Sequence, residues 1–281
     1  MMHERHLSRV ARVALPNPAY PCLPCLALPV GRRQPCGRFL PSYGRVIQEW
    51  ATLVLCAAGR VRAEGRRSGV SDKIGGNMDA RSHWQKIYRT KAPDAVSWYR
   101  PHLDRSLALI ESASPDRTAC IIDIGGGEST LVDDLLARGY HNLTILDVSQ
   151  TALDVTKARL GEAGERIHWI CADVTQADLP AHSYDVWHDR AVFHFLIARK
   201  QRNAYVQLAA RAVRPGGHVI VSTFGPEGPT KCSGLEVARY DADTLHGEFG
   251  ERFKLIESSK ELHQTPFGTT QQFLYCYCRL I

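Results

Sequence analysis

Ile121-Ile122-Asp123-Ile124-Gly125-Gly126-Gly127-Glu128-Ser129 decides how the rest of this chain reads. A short apolar run carrying one acid passes into three glycines, then into polar residues suited to a helix start. Glycines let the backbone turn sharply and let a ligand approach it closely. A helix N-terminus behind them offers unpaired N–H groups and the positive end of a dipole. Such a strand-glycine-helix junction suits a nucleotide-like ligand, and the flanking sequence must say which one.

Outward from this stretch the pattern alternates. Strand-like runs occupy residues 119–124, 143–146, 167–171, 184–188 and 218–223. Helical periodicity fills residues 130–138, closed by Gly139, residues 150–160, capped by Ser149, and residues 199–214, closed by Pro215-Gly216-Gly217. The link between the third and fourth strands is less clearly helical. Alternation of this kind predicts an α/β fold: a doubly wound, mostly parallel, Rossmann-like sheet with helices on both faces. Residues 252–259 and 272–279, joined through Pro266 and Gly268, read as a terminal antiparallel strand pair. Ahead of the core, residues 79–90 place Trp84, Ile87 and Tyr88 at helical spacing. A connector rich in aromatics follows at 95–101, and Pro101 can open a helix with Leu103, Leu107 and Ile110 on one face. The predicted domain is residues 78–281, with an N-terminal helical lid at 78–115 and a cofactor-binding core at 116–281.

Residues 1–77 have a different character. They hold 12 basic and 4 acidic residues, net +8, so the remaining 23 basic and 25 acidic residues give residues 78–281 a net −2. The chain's overall +6 therefore makes no case for nucleic-acid binding by the later part. Pro16, Pro18, Pro21, Pro24 and Pro29 interrupt a charge-free stretch, and residues 51–59 are apolar but short of the roughly 20 residues a membrane helix needs. Cys22 and Cys25 form a CxxC pair without the second pair or surrounding βαβ pattern that zinc or redox chemistry requires. We read 1–77 as a disordered or non-native leader with Met78 as the natural start. Cys120, Cys171, Cys276 and Cys278 sit in or beside strand-like runs, as ordinary core residues do, and the default setting is reducing and cytoplasmic.

In an open α/β sheet, ligands bind at the C-terminal ends of the strands, where strand order reverses. Four strand ends carry suitable groups. The first has the glycine loop. The second ends in Ile145-Leu146-Asp147-Val148-Ser149, with Asp147 22 positions after Gly125 and so placed to grip ribose hydroxyls. The third ends in Cys171-Ala172-Asp173-Val174, whose carboxylate could accept from an adenine amino group. The fourth ends in His188-Asp189-Arg190. A dinucleotide fingerprint would want Gly or Ala where Thr130 stands.

This constellation resembles the class I S-adenosylmethionine-dependent methyltransferases over about residues 119–281. The matching pieces are residues 123–127, Asp147, residues 172–174, residues 184–196 and residues 213–218. The resemblance implies S-adenosyl-L-methionine as cofactor, with Gly125 and Gly127 near its methionine part, Asp147 at the ribose and Asp173 at the adenine. Asp123, Gly126, Val148, Val174 and Asp189 complete the implied cofactor set. Ser129 replaces the third glycine of the family's GxGxG form.

Methyl transfer of this kind is an in-line displacement that needs positioning and no metal. Asp189 and His194 are candidate bases by location, although His194 also reads as a packed residue at an aromatic-rich helix start. Arg190 could orient an anionic acceptor or pair with Asp189, the ion pair being the simpler reading. Trp84, Trp98, Tyr99 and the Gly/Pro-rich loop 224–234 are expected to roof the acceptor, and Cys232 in that loop could meet a soft metalloid or thiol substrate. The reading favours a small-molecule acceptor, with no nucleic-acid or membrane partner. A protein lysine acceptor, a dinucleotide-dependent oxidoreductase and a non-catalytic cofactor-binding module are the alternatives.

Overall fold

The computed structural model describes residues 76–281. The expected leader, its proline-rich stretch and the Cys22 and Cys25 pair fall outside the described residues, apart from Gly76 and Asn77, which open the first helix. The elements are α1 (Gly76–Thr90), α2 (Asp104–Ala113), β1 (Cys120–Ile124), α3 (Leu131–Ala137), β2 (Asn142–Asp147), α4 (Gln150–Leu160), β3 (His168–Cys171), β4 (Tyr184–Arg190), α5 (Arg199–Ala212), β5 (Val213–Phe224), β6 (Lys231–Cys232), β7 (Leu235–Glu236), α6 (Ala242–Phe249), β8 (Phe253–Gln264) and β9 (Thr270–Leu280).

Seven strands form one sheet in the order β3-β2-β1-β4-β5-β9-β8. The five from β3 to β5 are parallel, and β9 runs antiparallel between β5 and β8. This is the expected doubly wound sheet with its terminal antiparallel pair. Strand order reverses at β1, which carries the glycine loop at its C-terminal end. Each face is covered. Ile121, Ile145, Val186 and Ile220 pack under Leu107 and Ile110 of α2 and Leu131 and Leu135 of α3. On the other face Ile122, Trp187, Val219 and Cys276 meet Tyr205 and Ala209 of α5 and Leu245 of α6. These near-continuous apolar strands are what a sheet buried on both faces requires.

Three local differences have physical causes. Helix α5 ends at Ala212, two residues before the expected end, because a residue that precedes proline, here Arg214, is disfavoured in the α region. The following residues 213–217 instead run into β5, with Gly216 at φ +79°. The expected loop 224–234 contains a two-residue ladder, β6 with β7. Helix α6 was not anticipated, though its start is coded locally: Asp241 accepts from the Thr244 N–H at 2.8 Å while the Thr244 hydroxyl accepts from the Asp241 N–H at 3.0 Å. No helix of the described residues is long and apolar enough to cross a membrane.

Candidate active site

The loop after β1 shows why three successive glycines stand there. Gly125 has φ +68°, and a Cβ on it would lie 2.1 Å from Val192 Cγ2. A Cβ on Gly126 would lie 2.7 Å from Asp123 Oδ2, and one on Gly127 2.8 Å from Asp147 Oδ2 and 3.1 Å from the Tyr88 hydroxyl. Helix α4 ties down the outward carbonyls of the loop. Thr156 donates to Gly127 O at 2.7 Å, and Arg159 donates to the Glu128 and Ser129 carbonyls at 3.1 and 2.7 Å. Ser129 Oγ accepts from the Leu131 N–H at 3.2 Å, so this residue does serve the helix start, one turn position earlier than a formal cap.

Beside the loop lies a cavity lined by Gly125 and the expected groups of β2 and β3, whereas Asp123 and Gly126 line a neighbouring cavity and Gly127 lines neither. Gly125, Asp147, Val148, Asp173 and Val174 face it, together with Trp84, Trp98, Arg190 and Cys232. Helix α1 and residues 191–196 roof it with contiguous aromatic rings. The centroid of Trp84 is 5.1 Å from that of Phe195, 5.7 Å from Trp98 and 6.0 Å from Tyr88. A second cavity adjoins it around the glycine loop and includes Asp123, Gly126, Glu128, Tyr99, Arg100, His188 and again Arg190. Gln85 fastens the lid helix to α4, its Oε1 accepting from the Ser149 hydroxyl at 3.0 Å and the Thr151 N–H at 3.2 Å.

Electrostatics distinguish the acids. Asp147 Oδ1 accepts from the Ser149 N–H at 2.7 Å, but burial still pushes its carboxyl up to about 7. Glu128 is pushed up to about 7 by burial, and its buried Oε2 has no partner among the described residues. Asp173 uses Oδ1 alone, accepting from the Thr175 N–H and hydroxyl, both at 2.7 Å.

The end of β4 departs from expectation. Neighbouring residues on a strand point to opposite faces, and this separates Asp189 from Arg190. Asp189 turns away from both cavities, accepting from the Val192 N–H, the Phe193 N–H and the Tyr205 hydroxyl at 2.9, 3.1 and 2.7 Å. It fastens the turn after β4 and reaches neither a cavity ligand nor Arg190, so the expected ion pair does not form. His194 is likewise excluded as a base. It is fully buried between Phe195 and Phe224, and its Nδ1 lone pair accepts from the Phe224 N–H at 3.2 Å. Burial pushes its imidazole down to about 3, so it stays neutral. Cys232 does line the cavity, but burial pushes its thiol up to about 11, which disfavours the thiolate that soft-metal binding needs.

Sequence reasoning passed over Tyr88, Phe195, Glu128 and His188. Tyr88 and Trp84 stand four apart on one helix face, and Glu128 lies inside the glycine stretch itself, so both had a local signal. His188 had none. It bridges Asp123 and Ser106, at 2.7 and 2.9 Å, and Ser106 meets the Tyr275 hydroxyl at 3.1 Å. These partners are 65, 82 and 169 residues apart.

Residues 121–217 match the family described as "Methyltransferase domain". An uncharacterized methyltransferase of Mycobacterium bovis is 32% identical over 117 residues, covering 42% of this chain and 56% of the relative. The eEF1A lysine and N-terminal methyltransferase of Bos taurus is 22% identical over 156 residues, covering 53% of this chain and 22% of the relative. The chain thus spans about half of the one relative and about a fifth of the other. Among solved structures, the N-methyltransferase NodS of Bradyrhizobium japonicum, in complex with S-adenosyl-L-homocysteine, shares the fold with a TM-score of 0.54 at 18% identity, over 70% of this chain and 98% of that one. The family match runs from β1 into β5 and contains the glycine loop and the strand ends that line the cavity. These likenesses support a class I S-adenosylmethionine-dependent methyltransferase domain, carried by residues 121–217.

Proposed function

We propose that this protein transfers a methyl group from S-adenosylmethionine to a small-molecule acceptor held beneath Trp84, Trp98 and Phe195. The observation that carries the reading is the shared cavity, in which Gly125 of the glycine loop, Asp147 and Asp173 face the same space as the aromatic roof. The residues fit the cofactor. Gly125 brings bare backbone to the cavity wall, and Asp173 Oδ2 and Glu128 Oε2 remain open to donors.

When bound, S-adenosylmethionine supplies a methyl group already activated by its sulfonium sulfur. In our reading Asp147 accepts from the ribose hydroxyls and Asp173 from the adenine amino group. Val148 and Val174 pack on the base, and Gly125 to Gly127 admit the methionine part. Glu128 faces its ammonium group. Trp84, Tyr88, Trp98 and Phe195 exclude water and hold the acceptor's nucleophile in line. Positioning of this kind can supply roughly 7–11 kcal/mol of the barrier. Neither Asp189 nor His194 lines the cavity, so this reading gives neither of them the role of base.

The test feeds methyl-labelled S-adenosylmethionine and the purified protein to a cell extract, which is then fractionated. Label in the small-molecule fraction is the expected outcome. Label in protein would support a lysine or N-terminal acceptor instead, the reading suggested by the bovine relative's name. Binding without any label transfer would make the protein a non-catalytic cofactor-binding module.

A further inference from the structure

Arg190 is buried, with 5% of its side chain exposed, and lines both cavities. Its surroundings account for only part of the guanidinium. Nη1 donates to the Trp98 carbonyl at 3.0 Å, and one face lies over the Phe273 ring, 4.3 Å from its centroid. Nε and Nη2 make no hydrogen bond of ordinary geometry among the described residues, although the Tyr275 hydroxyl lies near the guanidinium. These two nitrogens share one edge of the planar group, the edge that can donate two parallel hydrogen bonds to a carboxylate.

Neighbouring charges do not fill that edge. The nearest carboxylate oxygen, Glu261 Oε2, is 3.9 Å from Nη2, beyond hydrogen-bond reach, and Glu261 Oε1 is held by Arg100. Arg190 and Arg100 thus share one close carboxylate, Glu261, and neither of its oxygens bonds the Nε–Nη2 edge. A buried cation with an unpaired donor edge is costly, and a ligand that supplies the missing acceptors recovers the loss.

We propose that Arg190 is the specificity residue of the acceptor pocket and that the acceptor carries a carboxylate received by its Nε–Nη2 edge. The inference rests on reading the roofed cavity as the acceptor pocket. The same edge could instead meet the methionyl carboxylate of the cofactor, so the test separates the two sources.

Affinity for S-adenosylhomocysteine is measured by calorimetry on the wild-type protein, Arg190→Gln and Arg190→Lys. The S-adenosylhomocysteine-loaded proteins are then titrated with acetate, succinate, benzoate and phenylacetate, with the matching primary amides and with methylphosphonate, by ligand-observed NMR. The expected result is that at least one carboxylate binds the wild-type protein about ten-fold or more tightly than its amide, and that both variants lose this preference while S-adenosylhomocysteine affinity changes less than about three-fold. The proposal is overturned if no carboxylate is preferred over its amide, or if only methylphosphonate binds. It is equally overturned if Arg190→Gln weakens S-adenosylhomocysteine about ten-fold, since the edge then serves the cofactor. Should Arg190→Gln fail to fold, the carboxylate-to-amide comparison on the wild-type protein decides. Failure of the wild-type protein to bind S-adenosylhomocysteine would refute the methyltransferase reading instead.

Discussion

Asp123 Oδ1 lies 2.7 Å from His188 Nδ1, joining β1 to β4 directly beneath the glycine loop. Both side chains are buried, and the other carboxyl oxygen, Oδ2, would lie 2.7 Å from a Cβ at Gly126. Removing either partner strands the other. Asp123→Ala and His188→Leu should each destabilise the fold by about 1–3 kcal/mol. The double variant should lose less than the sum, with a coupling of about 0.5–3 kcal/mol. Chemical denaturation of the four proteins measures this, and strict additivity would mean the contact contributes nothing.

Gly125 and Gly161 both have positive φ, +68° and +57°, but only Gly125 faces a crowded neighbour. Gly161→Ala should lose about 1–2 kcal/mol through backbone strain alone. Gly125→Ala adds overlap with Val192 and should lose about 1–3 kcal/mol more. S-adenosylhomocysteine binding should weaken only in Gly125→Ala. Equal losses of stability in the two variants would show that the close approach to Val192 is relaxed without cost.

Asp147, Glu128 and Asp189 are each pushed up to about 7 by burial, well above ordinary carboxylates. Between those ordinary values and pH 7 the folded protein binds more protons than the unfolded chain, so unliganded stability should fall as pH rises through this window. Cofactor affinity should move the other way. Ribose hydroxyls donate best to an ionised Asp147, so S-adenosylhomocysteine should bind more tightly as pH rises through about 7, with proton release on binding below it. Calorimetry in buffers of different ionisation enthalpy reads that proton. Asp147→Ala should weaken binding by about 1–3 kcal/mol, and Asp147→Asn should abolish its share of the pH dependence.

His194 stays neutral over the ordinary pH range because burial pushes it down to about 3. Its one hydrogen bond is structural, to the Phe224 N–H. His194→Gln should lower the melting temperature yet leave the pH profile of S-adenosylhomocysteine binding unchanged between pH 5 and 8. A lost inflection in that profile would return His194 to the active site.

The parts of the site that were legible in the sequence are those coded by nearby residues. Glycines at 125–127, an acid 22 positions on and another after the third strand mark three strand ends without any tertiary information. Trp84 and Trp98 were expected in the roof because aromatics concentrate ahead of the core, and both line the cavity. Asp189 and His194 were misread for a common reason. Position after β4 places a residue near the site, but which face it takes depends on strand pleat and on what packs above it.

The sequence by itself determined the alternating β and α order, the glycine loop at the end of β1 and the acids at the ends of β2 and β3. Each of these depends on periodicity, turn chemistry or short spacing, which act within a few tens of residues. Only the tertiary structure decided that Arg190 faces the cavities while Asp189 faces α5, that α1 roofs the site, and that Asp123, His188, Ser106 and Tyr275 form one buried chain. These facts depend on which faces meet when distant segments pack. Desolvation makes that meeting specific, because a polar group buried in the wrong register would lose its water without gaining a partner.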